Sequence, residues 1–183
     1  MQRMSIAFPA LVVLGCLFLT MPIAAKSNSI PKDGELAFPS EYKSFPVFLS
    51  GVQKPDAIRD LYVNPLGAQN QQGQAFANGS ILVMAIYNAR KNAEGAVEKG
   101  ADGNLVKGDL AKVFVMQKGA GWGKSAPENL KNGDWVYSAF KGNGERLEVD
   151  YTTCRGCHLP LGESKDFVHR YDEYFEKRMH ATH

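Results

Sequence analysis

Hydrophobic positions along this chain change their spacing several times. Residues 6–25 are apolar almost without a break, interrupted only by small residues and two prolines. Residues 26–40 turn polar and are spaced by Pro31 and Pro39, which reads as an extended lead-in. An aromatic-rich stretch at 42–52 reads as a short helix or strand, and A-I-R-D-L-Y-V at 57–63 reads as a strand stopped by Asn64-Pro65. Residues 69–76 are glutamine-rich and weakly helical, and Asn78-Gly79 signals a turn. The run S-I-L-V-M-A-I-Y at 80–87 is apolar throughout, which predicts a strand covered on both faces. Residues 88–105 form a charged, glycine-punctuated loop with a marginal helical turn. A strand at 107–118, centred on Val113-Phe114-Val115-Met116, follows and is broken by the glycines at 119, 121 and 123. D-W-V-Y-S-A-F-K at 134–141 is a further strand, and 147–151 is positioned to pair back after Gly142-Asn143-Gly144. The spacing then becomes helical: Ser164 as cap, Asp166 in the first turn, and Phe167, Val168, Tyr171, Tyr174 and Phe175 on one face. The pattern predicts an α+β, mainly β fold, an antiparallel sheet with a C-terminal segment and helix.

The first apolar run has the form of an export signal. Arg3 supplies the positive end, and Ile23-Ala24-Ala25 offers a small-residue cleavage site before the polar Lys26-Ser27-Asn28-Ser29. The competing reading is a retained anchor, since about 20 apolar residues can span a bilayer. Pro9, Pro22 and the cleavage-like end favour removal. Val13-Leu14-Gly15-Cys16 is a poor lipoprotein site, because apolar residues continue past the cysteine. The expected organisation is a signal peptide at 1–25 and one domain at 26–183, exported to the periplasm and free of the membrane once the leader is removed. Without Arg3, 20 Lys+Arg stand against 19 Asp+Glu. This near-neutral balance excludes a basic nucleic-acid surface or a polybasic membrane patch.

The chemistry concentrates near the C-terminus in Cys154-Arg155-Gly156-Cys157-His158, the C-x-x-C-H attachment signature of a c-type haem. Two thiols add across the haem vinyl groups, and the adjacent imidazole is held against the iron. A zinc site would need four ligands, with only His169, His180 and His183 left to help. A thioredoxin-like pair normally sits in an α/β pattern, which is absent, and a plain disulfide leaves His158 unexplained. With Cys16 removed, Cys154 and Cys157 are the only thiols. One covalently attached haem c is therefore expected, with His158 as iron ligand. Small electron-transfer cytochromes carry the motif early and draw an axial methionine from far downstream. Here 25 residues follow His158, and Met179 is the only methionine among them. The four-helix cytochromes c′ have a late motif, but the predicted strands argue against a bundle.

Taken in order, several segments resemble the cytochrome P-460 family, which includes the β-sheet cytochromes c′. They are the Tyr42 segment, Ile58-Arg59-Asp60-Leu61-Tyr62-Val63-Asn64-Pro65 and Phe76-Ala77-Asn78-Gly79-Ser80-Ile81-Leu82-Val83. Val113-Phe114-Val115-Met116-Gln117-Lys118, Gly133-Asp134-Trp135-Val136-Tyr137 with Phe140, and the late C-x-x-C-H complete the set. The resemblance implies a mostly antiparallel fold, a homodimer, and one haem whose distal side can be open. In the cross-linked members an Asn/Asp-Gly-Ser/Thr-apolar run precedes a lysine that bonds to the macrocycle, and those members oxidise hydroxylamine or nitric oxide. Counted from Asn78-Gly79-Ser80, that position is Met84, and residues 80–89 contain no lysine.

The absence aligns the chain with the members that bind small gases at an apolar distal pocket. Met84 would share the distal face with Leu82 and Ile86, and either packs there or ligates iron as the sixth ligand. Arg59 is read, by the same resemblance, as a hydrogen-bond donor to a propionate or distal ligand, or else as an exposed edge-strand arginine. The expected function is reversible nitric oxide or carbon monoxide binding. The alternatives are an oxidoreductase acting on hydroxylamine or nitric oxide, and an electron-transfer cytochrome with His/Met ligation that serves a redox partner protein. The distal carboxylate of the catalytic members has no secure place here, with Glu148 and Asp150 the acids nearest the motif. Trp122 and Trp135 read as core or haem-edge aromatics, and His169 as a residue on an exposed or interface face of the last helix.

Overall fold

In a computed structural model, the described residues are 29–181, so the expected leader and its cleavage site lie outside them. Five strands follow one another in a simple antiparallel meander: β1 (Val47–Gln53), β2 (Ala57–Val63), β3 (Ile81–Ala89), β4 (Lys107–Lys118) and β5 (Trp135–Lys141). Three helices complete it, namely α1 (Pro65–Ala68), α2 (Tyr151–His158) and α3 (Tyr171–Ala181). The architecture is mainly β with a helical C-terminal segment, the α+β class expected from the apolar spacing. Among the described residues no helix is long and apolar enough to cross a membrane.

The apolar run in β3 is explained by cover on both faces of the sheet. Successive side chains alternate, so Val83 and Ala85 point to one side, where Val113, Val115, Val136 and Phe140 meet Leu36 and Tyr42. Leu82 points to the other side with Val63, Met116, Trp135 and Tyr137, against Phe167, Val168, Tyr171, Tyr174 and Phe175. The register aligns these positions in rows across the sheet. Val63, Leu82, Met116 and Tyr137 form one row, and Leu61, Met84, Phe114 and Ala139 form the next.

Several elements differ from the sequence reading, each for a physical reason. Asn64-Pro65 starts a helical turn as well as ending a strand. The Asn64 side chain accepts from Gly67 N and Pro65 takes the first helical position. Residues 69–76 are not helical, and their peptides are used instead by Tyr171, whose hydroxyl accepts from Gly73 N and donates to Gln74 O. Residues 88–105 have no helical turn beyond the end of β3, only two isolated bridges, Lys91↔Val97 and Lys99↔Leu105. The polar lead-in is pinned to β5, where Gly34 N donates to Tyr137 O at 2.7 Å and Leu36 N to Ser138 Oγ at 3.0 Å. Pairing back after β5 stops at Arg146 and Leu147, and Tyr151 already begins α2.

Asp166 does not sit in a first helical turn. Asp166, Phe167 and Arg170 all have left-handed backbone, with φ of 46°, 57° and 57°, so α3 begins only at Tyr171. The buried Asp166 carboxylate accepts two bonds from Lys118 Nζ, at 2.7 and 2.8 Å, and one from Phe76 N.

Asn64 joins three elements, accepting from Gly67 N and Ile81 N and donating to Gly79 O. Asn64→Ala should lower unfolding free energy in urea by about 1–3 kcal/mol, as expected when a cap and buried bonds are lost together. Asn143→Ala, in an exposed turn, is the control and should change stability by less than about 0.5 kcal/mol.

Candidate functional site

Helix α2 carries the whole C-x-x-C-H motif. Asp150 starts it by accepting from Thr152 N. On a helix, residues three and four apart share a face, so Cys154, Cys157 and His158 are presented together. Arg155 points the other way and is only 2% exposed. Its guanidinium donates to both oxygens of Asp33, at 2.6 and 3.0 Å, to Asn132 Oδ1 at 2.7 Å and to Trp135 O at 3.2 Å. Asp33 also accepts from Tyr137 N. One buried side chain thus joins the motif helix to β5 and to the lead-in.

His158 is oriented by a single strong bond. Its Nδ1 lies 2.7 Å from Phe167 O, and because a carbonyl can only accept, Nδ1 carries the proton. Nε2 is left as a free lone-pair donor, the state that binds a metal. Burial pulls the His158 pKa down to about 4, with His169 adding to the effect and the Phe167 bond opposing it. The ring is therefore neutral at ordinary pH. Burial likewise raises the Cys154 thiol. Cys154 is half-buried and Cys157 exposed, and both are free thiols.

The motif faces a cavity of about 540 Å³. Its lining includes the five residues expected to bind the haem: Cys154, Cys157, His158, Met84 and Arg59. The floor is the sheet face carrying Leu61, Leu82, Met84, Phe114 and Met116, and Tyr137 stands beside the His158 ring at 5.2 Å. Leu61, Met84 and Phe114 are only half-buried because they face the cavity. Ile86 shares this face but does not line the cavity. At the rim stand Lys54, Arg59, His169 and Arg170, and among the described residues no Asp or Glu lines the space. Arg59 is not an exposed edge arginine: its Nε is buried and has no protein partner.

Other expectations are altered. His169 precedes α3 rather than lying on it, lines the cavity, and sits 3.3 Å from Cys157 Sγ through Nε2. Its pKa is lowered chiefly by burial, then by nearby cations including Arg59. Trp135 is fully buried core, while Trp122 packs on the far face of the sheet. Asp150 is used as a helix cap, and neither it nor Glu148 reaches the cavity. Arg155, the Phe167 carbonyl, Tyr137 and the Lys54–Arg170 rim were not found from sequence. Only Arg155 left a hint there, as a long cation between two cysteines.

The residue set suits one kind of occupant. Two thiols and a neutral imidazole on one helix face are the donors of a c-type haem. An apolar floor suits a flat macrocycle, and a cationic rim without carboxylates suits its two propionates. The orphaned Arg59 Nε is a buried donor awaiting an acceptor. By contrast, no group of three or more His, Cys, Asp and Glu side chains among the described residues is gathered to hold a bare metal ion.

Arg155→Met should strip Asp33 and Asn132 of their buried partner and cost about 3 kcal/mol in urea unfolding. A loss below about 1 kcal/mol would show that Arg155 does not anchor the motif helix.

No curated protein matches the chain. The family description for cytochrome P460 matches residues 39–170, from ahead of the Tyr42 turn to the residue before α3. That match takes in all five strands, the motif helix and the turn that faces His158, over well more than half of the 183 residues. The chain belongs to the cytochrome P460 family and is a haem-binding cytochrome.

Proposed function

We propose that this chain is an exported, periplasmic monohaem c-type cytochrome that reversibly binds nitric oxide or carbon monoxide at an apolar pocket. Cys154 and Cys157 are the thioether anchors, and His158 Nε2 is the iron ligand. Arg59, with Lys54 or Arg170, pairs with the propionates. The observation that carries the reading is the composition of the cavity. Leu61, Leu82, Met84, Phe114 and Met116 form its floor, with no carboxylate in the lining.

When bound, the haem supplies an iron that coordinates a diatomic gas. The protein's part is to orient one imidazole through Phe167 O, to exclude water with the aliphatic and thioether floor, and to hold the macrocycle in register. A floor of this kind favours small neutral ligands over polar substrates. Oxidation of hydroxylamine would release protons, and no acidic side chain lines the cavity to receive them. That observation ranks the oxidoreductase alternative second. Electron transfer through a His/Met centre has one observation in its favour: two thioethers, Met84 and Met116, line the same cavity. We further propose a homodimer that receives electrons from a redox partner protein.

The chemistry of attachment can be read by mass spectrometry. Export and attachment should give the chain from Lys26 plus one haem, linked by thioethers at Cys154 and Cys157 alone. A macrocycle cross-link to lysine would contradict the gas-binding reading. Lys54 is the lysine to inspect, since among the described residues it is the only one lining the cavity.

Two further outcomes are expected. Met84→Ala should leave the ferrous spin state unchanged, and a low-spin to high-spin change would instead establish Met84 as ligand. Because the folded His158 pKa lies near 4 against an ordinary value near 6.5, protonation should not displace the ligand at pH 7 to 5. Acid titration should show the iron–histidine spectrum lost only toward or below pH 4. A midpoint near 6.5 would contradict the proposed iron–His158 bond, since both burial and ligation lower the pH at which the ring takes a proton.

A further inference from the structure

We infer that the Lys118–Asp166 ion pair and the Trp135 indole are positioning groups for the iron-binding histidine. Together they hold the Phe167 carbonyl on His158 Nδ1 and so set how strongly that ring donates to the iron. The inference rests on the proposed ligation of haem iron by His158.

The bond to His158 depends on a carbonyl that nothing regular holds. Phe167 lies outside α2 and α3, and it and Asp166 both adopt left-handed backbone, at φ 57° and 46°. That conformation is unfavourable for a bulky residue such as phenylalanine and persists only where surrounding contacts over-determine it. Those contacts converge on Asp166. Its carboxylate is gripped by Lys118 Nζ through both oxygens and by Phe76 N. Its backbone carbonyl, one peptide before the one that meets His158, accepts from Trp135 Nε1 at 2.9 Å. Lys118 and Trp135 are register partners on β4 and β5. Both side chains thus come from the sheet itself.

The pair is also placed where a merely stabilising role would be inefficient. Lys118 and Asp166 are 12% and 6% exposed at their side chains, and a buried ion pair can often be replaced by apolar residues without loss of stability. What apolar residues could not do is fix the direction of the Asp166–Phe167 peptides. Fixing the partner of a ligand's second nitrogen sets its tautomer, ring orientation and basicity. Strand β4 would then serve the site twice. Phe114 and Met116 form floor, and Lys118, at the end of the strand, sets the proximal bond.

The test uses haem-loaded protein and two readouts, the Fe–His stretching band of the ferrous form by resonance Raman and the reduction potential. Lys118→Met and Trp135→Phe should each shift the Fe–His band to lower frequency, as a weaker Nδ1 bond makes the imidazole less basic. Trp135→Phe, which changes no charge, should also raise the reduction potential. Lys118→Arg, which can still donate to both Asp166 oxygens, should restore the wild-type band. Variants that only melt earlier, with wild-type band and potential, would overturn the inference. If Lys118→Met fails to retain haem, Trp135→Phe decides by the same criteria. Failure of the underlying reading looks different: a high-spin ferrous wild type would then itself lack an Fe–His band.

Discussion

A guanidinium buried on the back of the motif helix governs the arrangement of this molecule. Helix α2 is only eight residues long, and the chain that follows it has only two short 3₁₀ turns, Leu159–Leu161 and Glu163–Lys165, before Tyr171. Such a segment cannot be held on a sheet by helical packing alone. Arg155 supplies the attachment with four hydrogen bonds to Asp33, Asn132 and Trp135. Charge-assisted bonds of this kind are strong where water is excluded, and their removal leaves uncompensated partners. Because Asp33 belongs to the lead-in and Trp135 to β5, the anchor fixes Cys154, Cys157 and His158 relative to the sheet.

The sheet then acts as a partition. Its far face is closed by Leu36, Tyr42 and their neighbours, and its near face is closed at one end by α3 and the Phe167 turn. Between that end and the Lys54–Arg59 rim the near face is left open as the cavity. An apolar, half-buried floor is unusual unless something covers it. The family match shows haem binding, and this face is where we propose that the haem lies. The same rows of the sheet therefore serve as core at one end and line the cavity at the other.

Much of this was legible in the sequence, and the part that was not has a clear origin. Apolar runs located β2 to β5 to within about two residues, and C-x-x-C-H pointed to the haem binding that the family match supports. Met84 and Arg59 came from register and resemblance, and both line the cavity. Long-range polar partnerships were invisible. Lys118 with Asp166, and Arg155 with Asp33, are 48 and 122 residues apart, and no local spacing encodes either. The helical period at 164–175 misled because Phe167 and Val168 are buried for a different reason. They belong to a left-handed turn that only tertiary contacts sustain. Asn64-Pro65 was ambiguous in kind, since the same dipeptide ends a strand and begins a helix.

The central claim is that one haem rests on His158 with its other side open above an apolar floor. The optical spectrum of the reduced protein, recorded with and without carbon monoxide, tests it most directly. A high-spin ferrous spectrum that converts to a low-spin carbonyl form is the expected result. A low-spin ferrous spectrum that does not respond to carbon monoxide would contradict it, and would show that the sixth position is already filled by the protein.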